Sequence, residues 1–219
     1  MFDKYNVVAA FWVTVQLAVL SAIGSLIWGT ALAAMRVSPV PIMRGFAAVY
    51  INAVRNTPLT VILVGSSLGL WQTLGVTLAG ERATEVNFRL AILGLVAYTS
   101  CFVCESLRSG INTVHVGQAE AARALGLNFG QVLGRIVLPQ AFRSVIGPLA
   151  SVLIALTKNT TIAAAISVAE AAALMKTMVE NEAHLLFLVT VIFAFGFVFL
   201  TLPTGLILGW VSKKVAVKR

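Results

Sequence analysis

Residues 5–35 read YNVVAAFWVTVQLAVLSAIGSLIWGTALAAM, 31 positions without an Asp, Glu, Lys or Arg. A helix rises about 1.5 Å per residue, so about 20 apolar residues cross the hydrocarbon core of a bilayer. This run is long enough to span and to protrude. Working outward from it, residues 56–80, 90–104 and 183–212 also lack those charges, and residues 144–169 carry one, Lys158. Five spans are expected, at about 8–35, 57–79, 88–107, 144–168 and 184–211. The fold class is therefore an all-α polytopic membrane protein. The stretch 40–55 is apolar enough to be helical and could extend the second span.

Composition agrees. Of 219 residues, 59% are hydrophobic and 11% charged, against roughly 45–50% and 25% for soluble domains. That excludes an ordinary soluble protein and a disordered one. The length fits one transmembrane domain over 1–219, with no room for a large soluble module. The formal charge of +8 belongs to the positive-inside rule rather than to nucleic acid, because the basic residues sit between apolar runs. Eleven fall on one side: Arg36, Arg44, Arg55, the four arginines between 108 and 143, Lys213, Lys214, Lys218 and Arg219. Only Lys4, Arg82, Arg89 and Lys176 fall on the other, mixed with Asp3, Glu81, Glu85, Glu170, Glu180 and Glu182. The bias predicts an external N-terminus and a cytoplasmic C-terminus. Ala31-Leu32-Ala33 resembles a signal cleavage site, but the apolar run before it is too long and its positive charge follows it, so a retained first span is expected. Cys101 and Cys104 lie within an apolar run and are read as buried and inert.

The longest polar segment, about 109–143, falls on the cytoplasmic side. From Gln118 to Leu125 the residues favour helix, with Ala119, Ala122 and Leu125 on one face. Gly126 is placed to stop it. Phe129, Val132, Leu133 and Ile136 continue an apolar face, and Pro139 is expected to break it before the next span. A short amphipathic helix outside the membrane can lie on lipid, pack on its own spans or enter a groove on a partner. With only Arg123 and Arg135 for headgroups, a protein partner is favoured.

This loop resembles the cytoplasmic signature of ABC importer permeases: Glu-Ala-Ala, three residues, Gly, nine residues, Ile, one residue, Leu-Pro. Glu120, Ala121, Ala122, Gly126, Ile136, Leu138 and Pro139 match at every position. Arg55-Asn56-Thr57-Pro58-Leu59, the stretch from Glu105 to Gly110 and Leu138-Pro139-Gln140-Ala141 look like the polar amino acid branch, most of all like glutamate permease subunits. Asn56 stands where that branch usually has Gly, and Asn159 where it often has Asp. The resemblance implies a permease subunit that couples ATPase closure to alternating access. It also implies a second permease, related but different, two cytoplasmic ATPases that use ATP and Mg, and an extracytoplasmic binding protein. Glu120, Ala121, Ala122, Leu125 and Gly126 would form the ATPase-coupling helix. The chain has no Gly-x-x-x-x-Gly-Lys-[Ser/Thr] loop, so it is expected to hydrolyse nothing and to hold no cofactor.

Lys158 is the one fixed charge deep in an apolar stretch, followed by Asn159, Thr160 and Thr161. Intramembrane charge is costly and usually faces a cavity or a partner. Two readings stay open: a lining for an anionic substrate, or a lysine that snorkels to an interface or pairs within an assembly. Glu105 and Arg108 are spaced to pair on one helix face. His115 and His184 lack companions at ligand spacing, so no metal site is expected. No nucleophile and base pair is spaced for intramembrane catalysis. A carrier or channel working without ATP remains the alternative, which the spans and Lys158 alone would allow.

Overall fold

The computed structural model describes residues 5–78, 80 and 82–215, and all regular structure within them is helical. Asp3, Lys4, Glu81, Lys218 and Arg219, which enter the charge count, lie outside the described residues, as does Ala79 near the expected end of the second span. The chain runs α1 (Val7–Val37), α2 (Pro41–Arg55), α3 (Leu59–Gly65), α4 (Ala83–Ile111), α5 (Val116–Ala124), α6 (Phe129–Val132), α7 (Leu138–Ser144), α8 (Ile146–Asn159), α9 (Ala171–Asn181) and α10 (Leu186–Val215). Four segments are long and apolar enough to cross a membrane unaided: α1, α4, α8 with the turn after it, and 183–214, which takes in α10 as far as Lys214. A fifth is reached only when Pro41–Arg55 and Leu59–Thr73, which are bent against each other, count together as one span.

The second span differs from expectation. Helix α3 continues as π-helical turns over Ser66–Thr73 and stops there, short of 79. Residues 41–55 do not extend it in line, since the two halves are bent by 98°. The cause is local. Pro58 disfavours helical geometry at Thr57, and the Thr57 hydroxyl turns back to the Ala53 carbonyl at 2.8 Å. Helix α2 therefore lies against α1 and α4, with Ala47 and Ile51 buried beside Leu32, Cys104 and Leu107. Both cysteines are free and buried in this cluster.

Helices α1 and α4 form the spine of the bundle. A Cβ on Gly24 would meet Val96 and one on Gly29 would meet Val103, so the two helices run parallel in close contact. Small residues allow this approach, which drives helix association in lipid where the hydrophobic effect does not. The next chain segments reach the same end as the C-terminus of α1, and there α5, α6 and α7 cluster.

At the opposite end lies a helix that hydropathy did not reveal. Helix α9 begins at a fully buried Glu170, counted above among loop charges. Its carboxylate accepts the N–H groups of Ala172 and Ala173 at 2.9 and 2.8 Å, capping the helix. Thr14 of α1 accepts the Ala171 N–H at 3.0 Å. At the far end of α9, the Asn181 amide donates to the Tyr5 hydroxyl at 3.2 Å. These two ties lay α9 antiparallel along the start of α1. Burial pushes the Glu170 pKa up, while the two N–H groups and Thr14 pull it back.

Candidate functional site

Two regions hold the residues singled out above. The first is the α5–α7 cluster. Helix α5 starts on His115, whose Nδ1 accepts the Gly117 N–H at 3.1 Å. It ends in a paired turn: Gly126 N–H donates to the Arg123 carbonyl at 2.9 Å and Leu127 N–H to the Ala122 carbonyl at 3.2 Å. This closure needs a left-handed residue at its corner, and Gly126 supplies it with φ +83°. The glycine is required by backbone angle alone, since a Cβ there would meet nothing within 4 Å.

The expected face of Ala119, Ala122 and Leu125 is only partly realised. Ala122 is buried against Val132, Leu133 and Val137, with Ala119, Ala34, Val37 and Ile111 packed around them. Leu125 instead is 83% exposed. Helix α5 ends at Ala124, and the closing turn carries Leu125 off the buried face. Glu120, Ala121 and Gly126 are exposed as well. The five candidate docking residues thus divide into one inward anchor, Ala122, and four on a free knuckle with an apolar tip.

The knuckle is tied to the spans. Asn128 and Gln131 cap α6 reciprocally, at 2.9 and 3.0 Å. Gln140 on α7 donates to the Gln118 side chain on α5 at 2.6 Å. Pro139 does not break the chain of helices. Residues Leu133–Val137 widen into a π turn, and the Leu138 N–H reaches back five residues to Leu133. The wider turn moves the preceding carbonyl away from the proline ring, so helix continues through Pro139 into α7. Gly110 at the end of α4 is in tight contact with α7: a Cβ there would lie 2.7 Å from the Ala141 carbonyl. Glu105 and Arg108 pair at 3.7 Å on the same stretch of α4.

The second region lies between α4 and α8. A cavity of about 320 Å³ is lined by Tyr98, Thr99, Phe102, Ser151, Val152, Ala155, Leu156 and Asn159. Such a volume is at the lower end of small-molecule sites, roughly 300–1,000 Å³. The four polar residues predicted here from sequence separate. Asn159 lines the cavity, half-buried. Lys158 beside it is exposed, with no ion pair among the described residues. Thr160 is fully buried and donates to the Thr157 carbonyl at 2.7 Å. Thr161 donates to the Lys158 carbonyl at 2.8 Å. The two threonine bonds tighten the chain after α8 into a 3-10 turn over Thr160–Ile166. Tyr98, Thr99 and Ser151 were not anticipated. Ser151, Ala155 and Asn159 recur at four-residue spacing, a signal that was present but weak in so apolar a helix.

Comparison with known proteins places these regions in context. The model of the family described as "Binding-protein-dependent transport system inner membrane component" matches residues 7–217. The chain is 59% identical over 218 residues to the glutamate transport system permease protein GluC of Corynebacterium efficiens, covering 98% of this chain and 96% of that one. It is 58% identical over the same shares to GluC of Corynebacterium glutamicum. It is also 31% identical to a probable glutamine ABC transporter permease, GlnM, of Bacillus subtilis. Among solved structures, an amino acid ABC transporter crystallised with histidines superposes with a TM-score of 0.75 at 23% identity, over 95% of this chain and 93% of that one. At that identity the superposition speaks for the fold.

Proposed function

The chain belongs to the inner membrane components of binding-protein-dependent transport systems, and on that premise we propose that it is a permease subunit for import of glutamate. It is a membrane permease, not an enzyme, and the reading as a carrier or channel working without ATP falls with family membership. An ATPase and a substrate-binding protein are its partners. The glutamate reading is supported by the two GluC relatives, which are glutamate transport system permease proteins and match nearly end to end.

Beyond this, residues 1–219 are one transmembrane domain with an external N-terminus and a cytoplasmic C-terminus. Two ATPases, using ATP and Mg, dock on its loop. A related second permease completes the pathway, and the binding protein delivers substrate at the other end. The observation that carries the docking reading is the α5 knuckle: an exposed Leu125 beside Glu120 and Gly126, on a helix whose other face is packed into the ends of α1 and α4. A ratchet of the ATPases would pass through Ala122 and Gly110 into the spans as a rigid-body movement. Substrate would pass the α4–α8 face, where Lys158 and Asn159 offer a cation and an amide.

The test is reconstitution of this chain with its co-purifying partners in liposomes. Glutamate uptake that needs both the binding protein and hydrolysable ATP is the expected result. Uptake that persists with a non-hydrolysable ATP analogue would defeat the proposal.

A further inference from the structure

Hydroxyl groups in the spans of this chain have a habit. Thr14, Thr30, Ser106, Thr157, Thr190, Thr201 and Thr204 each bond the carbonyl four residues back. That local bond is the ordinary way to satisfy a hydroxyl in lipid. Thr99 departs from it. It is 2% exposed, yet its Oγ1 has no hydrogen-bond partner. Ser21 and Ser25 are also unpaired, but neither lines the α4–α8 cavity, and Thr99 does. A buried hydroxyl left unpaired costs more than a hydrogen bond returns, so a partner at Thr99 that comes from outside the chain would be stabilised.

The rest of the cavity says what that partner is. Asn159 and Tyr98 line it without side-chain hydrogen bonds among the described residues, and Ser151 stands at its edge. Phe102 and Leu156 supply an apolar wall for methylene groups. No acidic residue lines it, so nothing there would hold a cationic side chain, and the adjacent charge is the positive Lys158. We infer that Thr99 is a specificity-determining residue, which with Asn159 receives the carboxylate or amide at the end of a substrate side chain and so separates glutamate and glutamine from apolar amino acids of similar length. This deepens the importer reading and rests on it. The physical basis is that a site built to hydrogen-bond a polar group rejects the analogue lacking it far better than an apolar site rejects a polar one.

The experiment uses the complex purified through this chain, without binding protein, and equilibrium dialysis with radiolabelled glutamate, glutamine and methionine. Methionine has similar length and no strong hydrogen-bonding end. The parent should bind glutamate and glutamine in preference to methionine. Thr99→Val should weaken glutamate and glutamine by about 3- to 10-fold and leave methionine unchanged, and Thr99→Ser should restore the parent's ratio. Asn159→Ala should move the ratio in the same direction. Because the readout is a ratio of affinities, it does not depend on how much of a variant folds. A Thr99→Val ratio equal to the parent's, or a parallel loss for all three ligands, overturns the assignment. So does a parent complex that binds none of them. The importer reading is judged separately, by ATP-dependent uptake with binding protein in the same preparation. Uptake with an unmoved ratio defeats only the role of Thr99.

Discussion

Gly126 and Lys158 illustrate two ways in which one residue can matter without a crowded surrounding. Gly126 has open space around it, so a bulky side chain meets no neighbour. The penalty is carried by φ +83°, and a β-branched residue there costs about 1–2 kcal/mol or forces the turn to open. Gly126→Val should therefore insert in the membrane at normal abundance but lose ATPase association and most uptake, while Gly126→Asn, which tolerates the left-handed region, should lose less. Co-purification of the ATPase with each variant checks this. Lys158 is exposed on a segment apolar enough to cross a membrane and makes no ion pair among the described residues. If its charge serves passage, Lys158→Met should lower glutamate uptake more than it lowers assembly with partners. Uptake equal to the parent's at equal membrane abundance would leave the lysine as an interfacial anchor.

At the scale of elements, the sequence carried the apolar runs plainly and the interruptions poorly. Uncharged runs of 31 and 30 residues located α1 and α10, and shorter apolar runs located α4 and α8. Run length misjudged the second span because hydropathy does not register the bend at Asn56-Thr57-Pro58 or the stop at Thr73. It left α9 unread because Glu170, Lys176, Glu180 and Glu182 look like loop charges when burial is unknown. The loop over 109–143 was legible as a motif, and the helix stop at Gly126 was legible from glycine chemistry. The departure of Leu125 from the helix face was not, since that depends on where the closing turn falls. Helix α9 also yields a test. Removing the Glu170 carboxylate strands two partly buried N–H groups, for which the roughly 1–3 kcal/mol of a fully buried unpaired donor is an upper limit each. Glu170→Ala should lower the melting temperature of the purified protein clearly. Glu170→Gln, which keeps one acceptor oxygen, should fall between that variant and the parent. Equal melting of all three would mean that α9 is held by packing alone.

For the whole molecule, the decisive quantity is which end faces the cytoplasm. Helices α1 and α4 run parallel, so the segment around Arg82–Glu85 and the start of α1 share one end, and the loop after Ile111 shares the other with the end of α1. On the orientation proposed above, the charge bias of eleven against four puts the loop end in the cytoplasm. The assignment has a mechanical consequence, because only then can the α5 knuckle meet an ATPase that works on cytoplasmic ATP. Thr84 and Asn128 are both exposed, one near each end, and the native cysteines are buried. A cysteine placed at Thr84 should react with a membrane-impermeant maleimide in intact cells. One placed at Asn128 should react only after permeabilisation, and then be protected when the ATPase is bound. Labelling of the Asn128 variant from outside would invert the molecule and, with it, take away any route from ATP hydrolysis through α5 to the spans.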